Sequence, residues 1–118
     1  MRFFEGFTRS FRYAVRGIGL AIRHRNLRIM LMLGVVVVIL AVAYDVSGAS
    51  WAILLLCIGA VLGAEILNTS IETLADRVEA SFDRDIRDTK DLAAGAVLLV
   101  SVVAAVTGII VLWPYATR

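Results

Sequence analysis

Trp51-Ala52-Ile53-Leu54-Leu55-Leu56-Cys57-Ile58-Gly59-Ala60-Val61-Leu62-Gly63-Ala64-Glu65-Ile66-Leu67-Asn68-Thr69-Ser70-Ile71-Glu72-Thr73-Leu74-Ala75-Asp76 decides the fold. It starts as an apolar run and then, with no proline or turn signal, acquires Glu65, Asn68, Thr69, Glu72 and Asp76. The spacing predicts one continuous helix that enters a bilayer apolar and leaves it carboxylated. Steps of three and four residues keep these polar side chains on a single stripe. If the hydrocarbon takes about 20 residues from Trp51 onward, Glu65 and Asn68 fall inside its far quarter and Glu72 near the interface. A carboxylate at that depth costs a few kcal/mol on insertion scales, so the stripe should face protein or a water-filled cleft. A lone Asn or Thr would serve as helix-packing glue. Two acids and an amide at helical spacing exceed what packing requires and mark a candidate site.

Working outward, the composition agrees with a membrane protein. The chain has 118 residues, is 60% hydrophobic and has a mean hydropathy of +0.86, too apolar for a soluble domain of this size. Its length allows one compact unit, read as a single integral-membrane domain over 1–118. Residues 27–44 carry no charge after Arg28 and form a first span. Asp45-Val46-Ser47-Gly48-Ala49-Ser50 is a tight turn, and 51–76 is the second span with its cytoplasmic extension. A charged loop over 77–91 leads to a third span, 92–113, ended by Pro114. Tyr44, Trp51, Trp113 and Tyr115 gather at one interface as an aromatic belt.

Residues 1–26 are different in kind. Phe4, Phe7, Phe11, Val15, Ile18 and Ile22 recur at steps of three and four, while Arg2, Arg9, Arg12, Arg16 and Arg23 fall largely elsewhere. This is an amphipathic helix suited to the headgroup layer, its arginines toward anionic lipid; nucleic acid is not an expected partner. The first apolar run starts only near Leu27, so no cleavable signal peptide is expected. Residues 1–28 hold seven Arg against Glu5, and Arg77, Arg84, Arg87 and Lys90 lie between the second and third spans, whereas the turn at 45–50 holds no cation. The positive-inside rule places the amino end and the charged loop in the cytoplasm, so the stripe opens on that side. Gly59 with Gly63, and Ala104 with Gly108, form small-xxx-small pairs suited to close helix approach, and a homo-oligomer is expected.

Several chemistries are excluded. There is no GxxxxGK[ST] phosphate loop, and Gly17-Ile18-Gly19 lies within the amphipathic helix. One His and one Cys cannot build the usual zinc clusters, and Cys57 can form no intrachain disulfide. What remains is a cytoplasm-facing set: Glu65, Glu72, Asp76 and Asp91, with Asn68 and Lys90. Phosphoryl transfer needs such parts, namely a carboxylate to accept a hydroxyl proton, oxygen ligands for Mg²⁺ and a cation on the phosphates. A base submerged at the membrane edge suits a lipid hydroxyl. The stripe would equally suit a small proton-coupled transporter with Glu65 binding substrate and proton in turn, and a purely structural membrane subunit is a third reading.

The string Ala64-Glu65-Ile66-Leu67-Asn68-Thr69-Ser70-Ile71-Glu72, then Asp76, then Lys90-Asp91-Leu92-Ala93-Ala94-Gly95-Ala96-Val97, closely resembles the prokaryotic diacylglycerol kinase family, which includes the undecaprenol kinases. The likeness extends to Gly6-Phe7-Thr8-Arg9 and Arg16-Gly17. It implies an all-α membrane protein, an amphipathic surface helix with three transmembrane helices, assembled as a homotrimer in the bacterial inner membrane. It also implies an ATP- and Mg²⁺-dependent kinase acting on the primary hydroxyl of diacylglycerol or undecaprenol. Carried over by position, Glu65 corresponds to the general base, Glu72 to a metal ligand and Asn68 to an organiser of the site. Lys90 corresponds to a phosphate contact, and Asp76 and Asp91 to supporting or nucleotide-side residues. Ser50-Trp51 and the ending from Gly108 to Pro114 look more like the undecaprenol branch.

One position departs from the pattern. The family usually carries a metal-binding Glu shortly before its first span, and in His24-Arg25-Asn26-Leu27-Arg28 that place is taken by His24. Imidazole is a poor Mg²⁺ ligand beside a carboxylate. The substitution implies weaker metal binding, replacement by another acid or water, or lost activity. Alternatively His24 is simply an interfacial residue among arginines.

Overall fold

A computed structural model describes residues 2–79, 81 and 83–118. It contains four helices: α1 (Arg2–Ala21), α2 (Arg25–Ala43), α3 (Gly48–Val78) and α4 (Arg84–Ala116). The last three are long and apolar enough to cross a membrane. α1 leaves Phe4, Phe7, Phe11 and Ile18 exposed, as a helix bedded in lipid rather than in a protein core should. At about 1.5 Å per residue, α2 spans roughly 28 Å and α3 roughly 46 Å. The hydrocarbon core is about 30 Å thick, so α3 overhangs it, as does the still longer α4. Their shared overhang, the end of α3 and the start of α4, carries most of the acids.

The turns are sharper than the sequence suggested. α2 ends with the amide of Val46 donating to the Ala41 carbonyl (3.2 Å) and that of Asp45 to the Val42 carbonyl (3.1 Å), the paired bonds of a Schellman cap. Asp45 takes the left-handed conformation this needs, at φ 50°. Ser47 then caps α3, its side chain accepting from the Ser50 amide, so the helix starts at Gly48 rather than Trp51. The segment 77–91 is mostly not a loop. α3 runs to Val78, and α4 starts at Arg84 because Asp83 Oδ1 accepts from the amides of Asp85 (2.9 Å) and Ile86 (3.2 Å), an N-cap. Ala80 and Phe82, within that segment, lie outside the described residues. Pro114 does not end α4 either, which continues to Ala116. A proline in the last turn removes one backbone donor, and the Thr117 amide still donates to the Trp113 carbonyl (3.1 Å).

α3 is the middle helix. α4 packs along it, α2 lies against it, and α1 touches it as well. The result is a slab 54 × 46 × 21 Å with wide apolar faces. Water would penalise such faces, but lipid does not. At the end remote from Glu65, Ala41, Val46 and Leu54 form a buried knot with Trp51, Leu112 and Tyr115 around it. Tyr115 Oη accepts from the Ser47 amide and hydrogen-bonds Ser50 Oγ, both at 3.1 Å. Arg118 donates to the Tyr44 carbonyl (2.7 Å) and stacks over the Tyr115 ring.

Among the glycines, the tight contact between helices is at Gly34 and not at Gly59, Gly63 or Gly108. A Cβ added to Gly34 would sit 3.1 Å from Ile58 Cγ2, which fixes how tightly α2 meets α3. Cβ atoms at Gly59, Gly63 or Gly108 would meet nothing within 4 Å. Within the protomer, therefore, these three glycines are not points of close helix contact.

Candidate active site

Glu65 and Asn68 are the two buried polar side chains among the described residues, at 4% and 8% exposure. They occupy the same face of α3 as Leu54 and Ala75, reached by steps of three and four. This face meets the other helices, so the stripe is directed into protein. One turn onward Glu72 is exposed. Asn68 Nδ2 donates to Glu72 Oε1 at 3.3 Å, while Asn68 Oδ1 is buried with no hydrogen-bond partner. A buried amide oxygen with nothing to accept costs on the order of 1–3 kcal/mol, so Asn68 Oδ1 is a free acceptor inside the protein. The nearby hydroxyls are engaged elsewhere: Ser70 and Thr73 donate back to the carbonyls of Ile66 and Thr69, and Thr69 interacts with Glu65.

His24 stands at the N-cap of α2, exposed, with no side-chain capping bond. It is near enough to Glu65 for the two to interact electrostatically, as is Glu72. Among the described residues no three His, Cys, Asp or Glu side chains form a metal-binding group. The donors that fit a hard cation are the Glu72 carboxylate and Asn68 Oδ1, since Mg²⁺ takes one or two protein oxygens and completes its shell with water and phosphate.

A second group lies where α3 ends and α4 begins. Lys90 Nζ donates to Asp76 Oδ1 at 2.7 Å, tying α4 to α3. That hydrogen bond, with the carboxylate's charge behind it, holds the Lys90 ammonium above its ordinary pKa, so it stays cationic. Asp91 pairs loosely with Arg87 at 3.9 Å. Asp76, Glu79, Ser81, Arg87, Lys90 and Asp91 line a polar cavity of about 360 Å³. The structure thus divides the sequence-predicted residues: Glu65, Asn68 and Glu72 with His24 nearby, and Asp76, Lys90 and Asp91 around the outer cavity. Glu72 stands between them, its charge felt at both Glu65 and Lys90.

Asn26 and Ser101 do not stand out in the sequence. Both line an apolar cavity among α2, α3 and α4, and Ser101 Oγ is buried without a partner. Ser101 and Thr107 are the two hydroxyls in the uncharged run of α4, and nothing in the sequence separates the buried one from the other.

Residues 12–112 match the family model described as prokaryotic diacylglycerol kinase. The chain is 37% identical over 107 residues to a diacylglycerol kinase of Synechocystis sp., an alignment covering 89% of this chain and 61% of that protein. It is 32% identical over 109 residues to the undecaprenol kinase of Bacillus subtilis, covering 92% of this chain and 89% of the relative. It is 32% identical over 78 residues to the diacylglycerol kinase of Escherichia coli, covering 66% and 64% respectively. The chain therefore spans less than two thirds of the Synechocystis and Escherichia coli proteins.

Proposed function

From the premise that the chain belongs to the prokaryotic diacylglycerol kinase family, we propose that it is a lipid kinase that transfers the γ-phosphoryl group of ATP to the primary hydroxyl of a membrane lipid, diacylglycerol or undecaprenol. The observation that carries this reading is Glu65, a buried carboxylate one turn from an unsatisfied amide oxygen, where α3 leaves the membrane. A base at that depth can reach an alcohol whose tails remain in lipid, while the outer cavity admits a nucleotide from water. The family assignment leaves the proton-coupled transporter without support.

In this reading the Glu65 carboxylate takes the hydroxyl proton as the lipid oxygen attacks the γ-phosphorus in line. The new O–P bond forms as the bond to the bridging oxygen breaks, and that electron pair leaves with ADP. Lys90, released from Asp76 or shared with it, places positive charge on the phosphates, and Asp76 and Asp91 border the nucleotide. Glu72 and Asn68 Oδ1 would hold Mg²⁺, whose chemistry is to neutralise charge on the phosphate oxygens. Asn68 also holds Glu72 in place through its Nδ2. His24 occupies the position of the family's second carboxylate and, as an imidazole, offers a softer donor.

The arginines of α1 support an orientation with the amino end and the site in the cytoplasm of a bacterial inner membrane. A Cβ at Gly59 or Gly63 would meet nothing within 4 Å in the protomer, which leaves this small-residue face of α3 open to pack on its copies in a homotrimer. Supplying the purified protein in lipid bilayers with γ-labelled ATP, Mg²⁺ and each alcohol tests the function. Label should appear in a phosphorylated lipid on thin-layer chromatography, and its absence from every lipid product would reject the reading.

A further inference from the structure

α3 and α4 run antiparallel, and a contact at each end fixes their register. At the charged end Lys90 donates to Asp76 at 2.7 Å. At the other end Leu112 packs on the buried knot that contains Leu54. Eleven residues make three turns of helix, about 16 Å, and return a side chain to the same face. Eleven steps inward from Asp76 and Lys90 arrive at Glu65 and Ser101, and eleven steps from Leu54 and Leu112 arrive at the same two residues. Val61 with Ala105, and Ile58 with Gly108, obey this register and line one cavity. Ser101 is therefore the α4 residue level with the candidate base and turned to the same seam.

Its hydroxyl differs from the others in these helices. Thr8, Ser70, Thr73, Thr89 and Thr117 each donate to the carbonyl four residues before them, the ordinary local partner of a helical hydroxyl. Ser101 Oγ makes no such bond to Val97, nor to any other of the described residues, although it is buried. It lines the apolar cavity of about 450 Å³, where Asn26 is the other oxygen-bearing side chain among the described residues. Across the seam the Glu65 side chain is buried too, and no hydrogen bond joins it to Ser101. An unpartnered hydroxyl in an apolar wall is costly, and a small polar group held between Ser101 and Glu65 would satisfy it.

We propose that Ser101 binds the hydroxyl of the lipid acceptor and aims it, with Glu65 on one side and Ser101 on the other. The inference rests on the lipid-kinase reading and adds an acceptor-binding residue to it. An alcohol oxygen carries one proton and two lone pairs. Between these side chains its O–H donates to the Glu65 carboxylate, and one lone pair accepts from the Ser101 hydroxyl. The second lone pair is left to attack the γ-phosphorus. As the O–P bond forms, the alcohol proton passes to Glu65, and the bond to the bridging oxygen breaks with its electron pair leaving on ADP. Ser101 keeps its own proton throughout. Held by Glu65 alone, the alcohol would rotate about a single hydrogen bond; the contact from α4 removes that freedom and orients the attack.

Full-length wild type, Ser101→Ala, Ser101→Thr and Ser101→Val are compared in bilayer discs with ATP, Mg²⁺ and each of dioleoylglycerol and undecaprenol. Thr and Val share a shape and differ in the hydroxyl, so that pair separates hydrogen bonding from bulk and carries the test should Ser101→Ala fail to fold. Ser101→Ala should lower kcat/KM for the lipid about three- to tenfold, the worth of one neutral hydrogen bond, with KM for ATP unchanged. Ser101→Thr should exceed Ser101→Val by about threefold or more. The better acceptor's deoxy analogue, with hydrogen in place of the hydroxyl, serves as a competitive inhibitor. Its inhibition constant should stay within about twofold between wild type and Ser101→Ala, because it offers Ser101 nothing to bind; a serine that only supports the fold would weaken analogue and alcohol alike. Wild-type kcat/KM in Ser101→Ala, Ser101→Thr no better than Ser101→Val, a change confined to KM for ATP, or equal weakening of the analogue would each overturn the proposal. Transfer to no lipid by wild type would instead reject the kinase reading, and this assignment with it.

Discussion

Gly34 is where a small perturbation should travel furthest. Its α carbon faces Ile58, and a Cβ there would lie 3.1 Å from Ile58 Cγ2, against the 3.4–4 Å of ordinary contact. Ile58 is β-branched, with one strongly preferred χ1 in a helix, so the side chain cannot swing away and the helices must part by several tenths of an ångström. Overpacking of this kind costs about 1–3 kcal/mol. Gly34→Ala recovers up to about 1 kcal/mol of helix propensity, so its net cost should be about 0–2 kcal/mol. Gly34→Leu should approach the upper end of the overpacking range. Because α2 carries His24 toward Glu65 and Asn26 to the apolar cavity, the larger change should also lower lipid phosphorylation. Ile58→Ala removes the obstructing methyl, so Gly34→Leu/Ile58→Ala should be less unstable than the sum of the single changes, with a coupling of about 1 kcal/mol or more. Reversible unfolding in mixed detergent, read by circular dichroism, measures all four proteins. Strict additivity, or a Gly34→Leu protein as stable as wild type, would refute the argument.

Two further outcomes follow from the geometry. Gly63→Leu meets nothing inside the protomer, so it should leave helix content unchanged while dissociating the oligomer in light scattering; an intact oligomer would exclude that face of α3 from the assembly. Lys90→Ala should raise KM for ATP roughly tenfold, about 1.4 kcal/mol, with kcat for the lipid less affected; a rise confined to the lipid KM would move Lys90 to the other substrate.

Much of this was legible in the sequence because membrane insertion imposes strong patterns. The spans follow from uncharged length, α1 from its phenylalanine and arginine spacing, and the stripe from steps of three and four that any helix must obey. Glu65 and Asn68 are the two members of that stripe that the structure buries. The segment 77–91 resisted the same reading because mixed charges carry no apolar period. Its helical signals were local ones, the Asp83 cap and the Arg87–Asp91 spacing. The apolar cavity could not be read at all: it depends on how α2 and α4 are rotated about α3, and Ala104 and Gly108, small enough to suggest close packing, instead line its wall. His24 was legible as a departure, and its proximity to Glu65 appears only in three dimensions.

The central claim is that Glu65 is the proton acceptor for a lipid alcohol, and Glu65→Gln tests it most directly because the amide keeps the shape and removes the base. With helix content and oligomeric state verified as unchanged, the rate of labelled phosphate transfer from ATP to lipid should fall by about 10²–10⁴-fold. A folded Glu65→Gln protein that phosphorylates lipid at the wild-type rate would contradict the account.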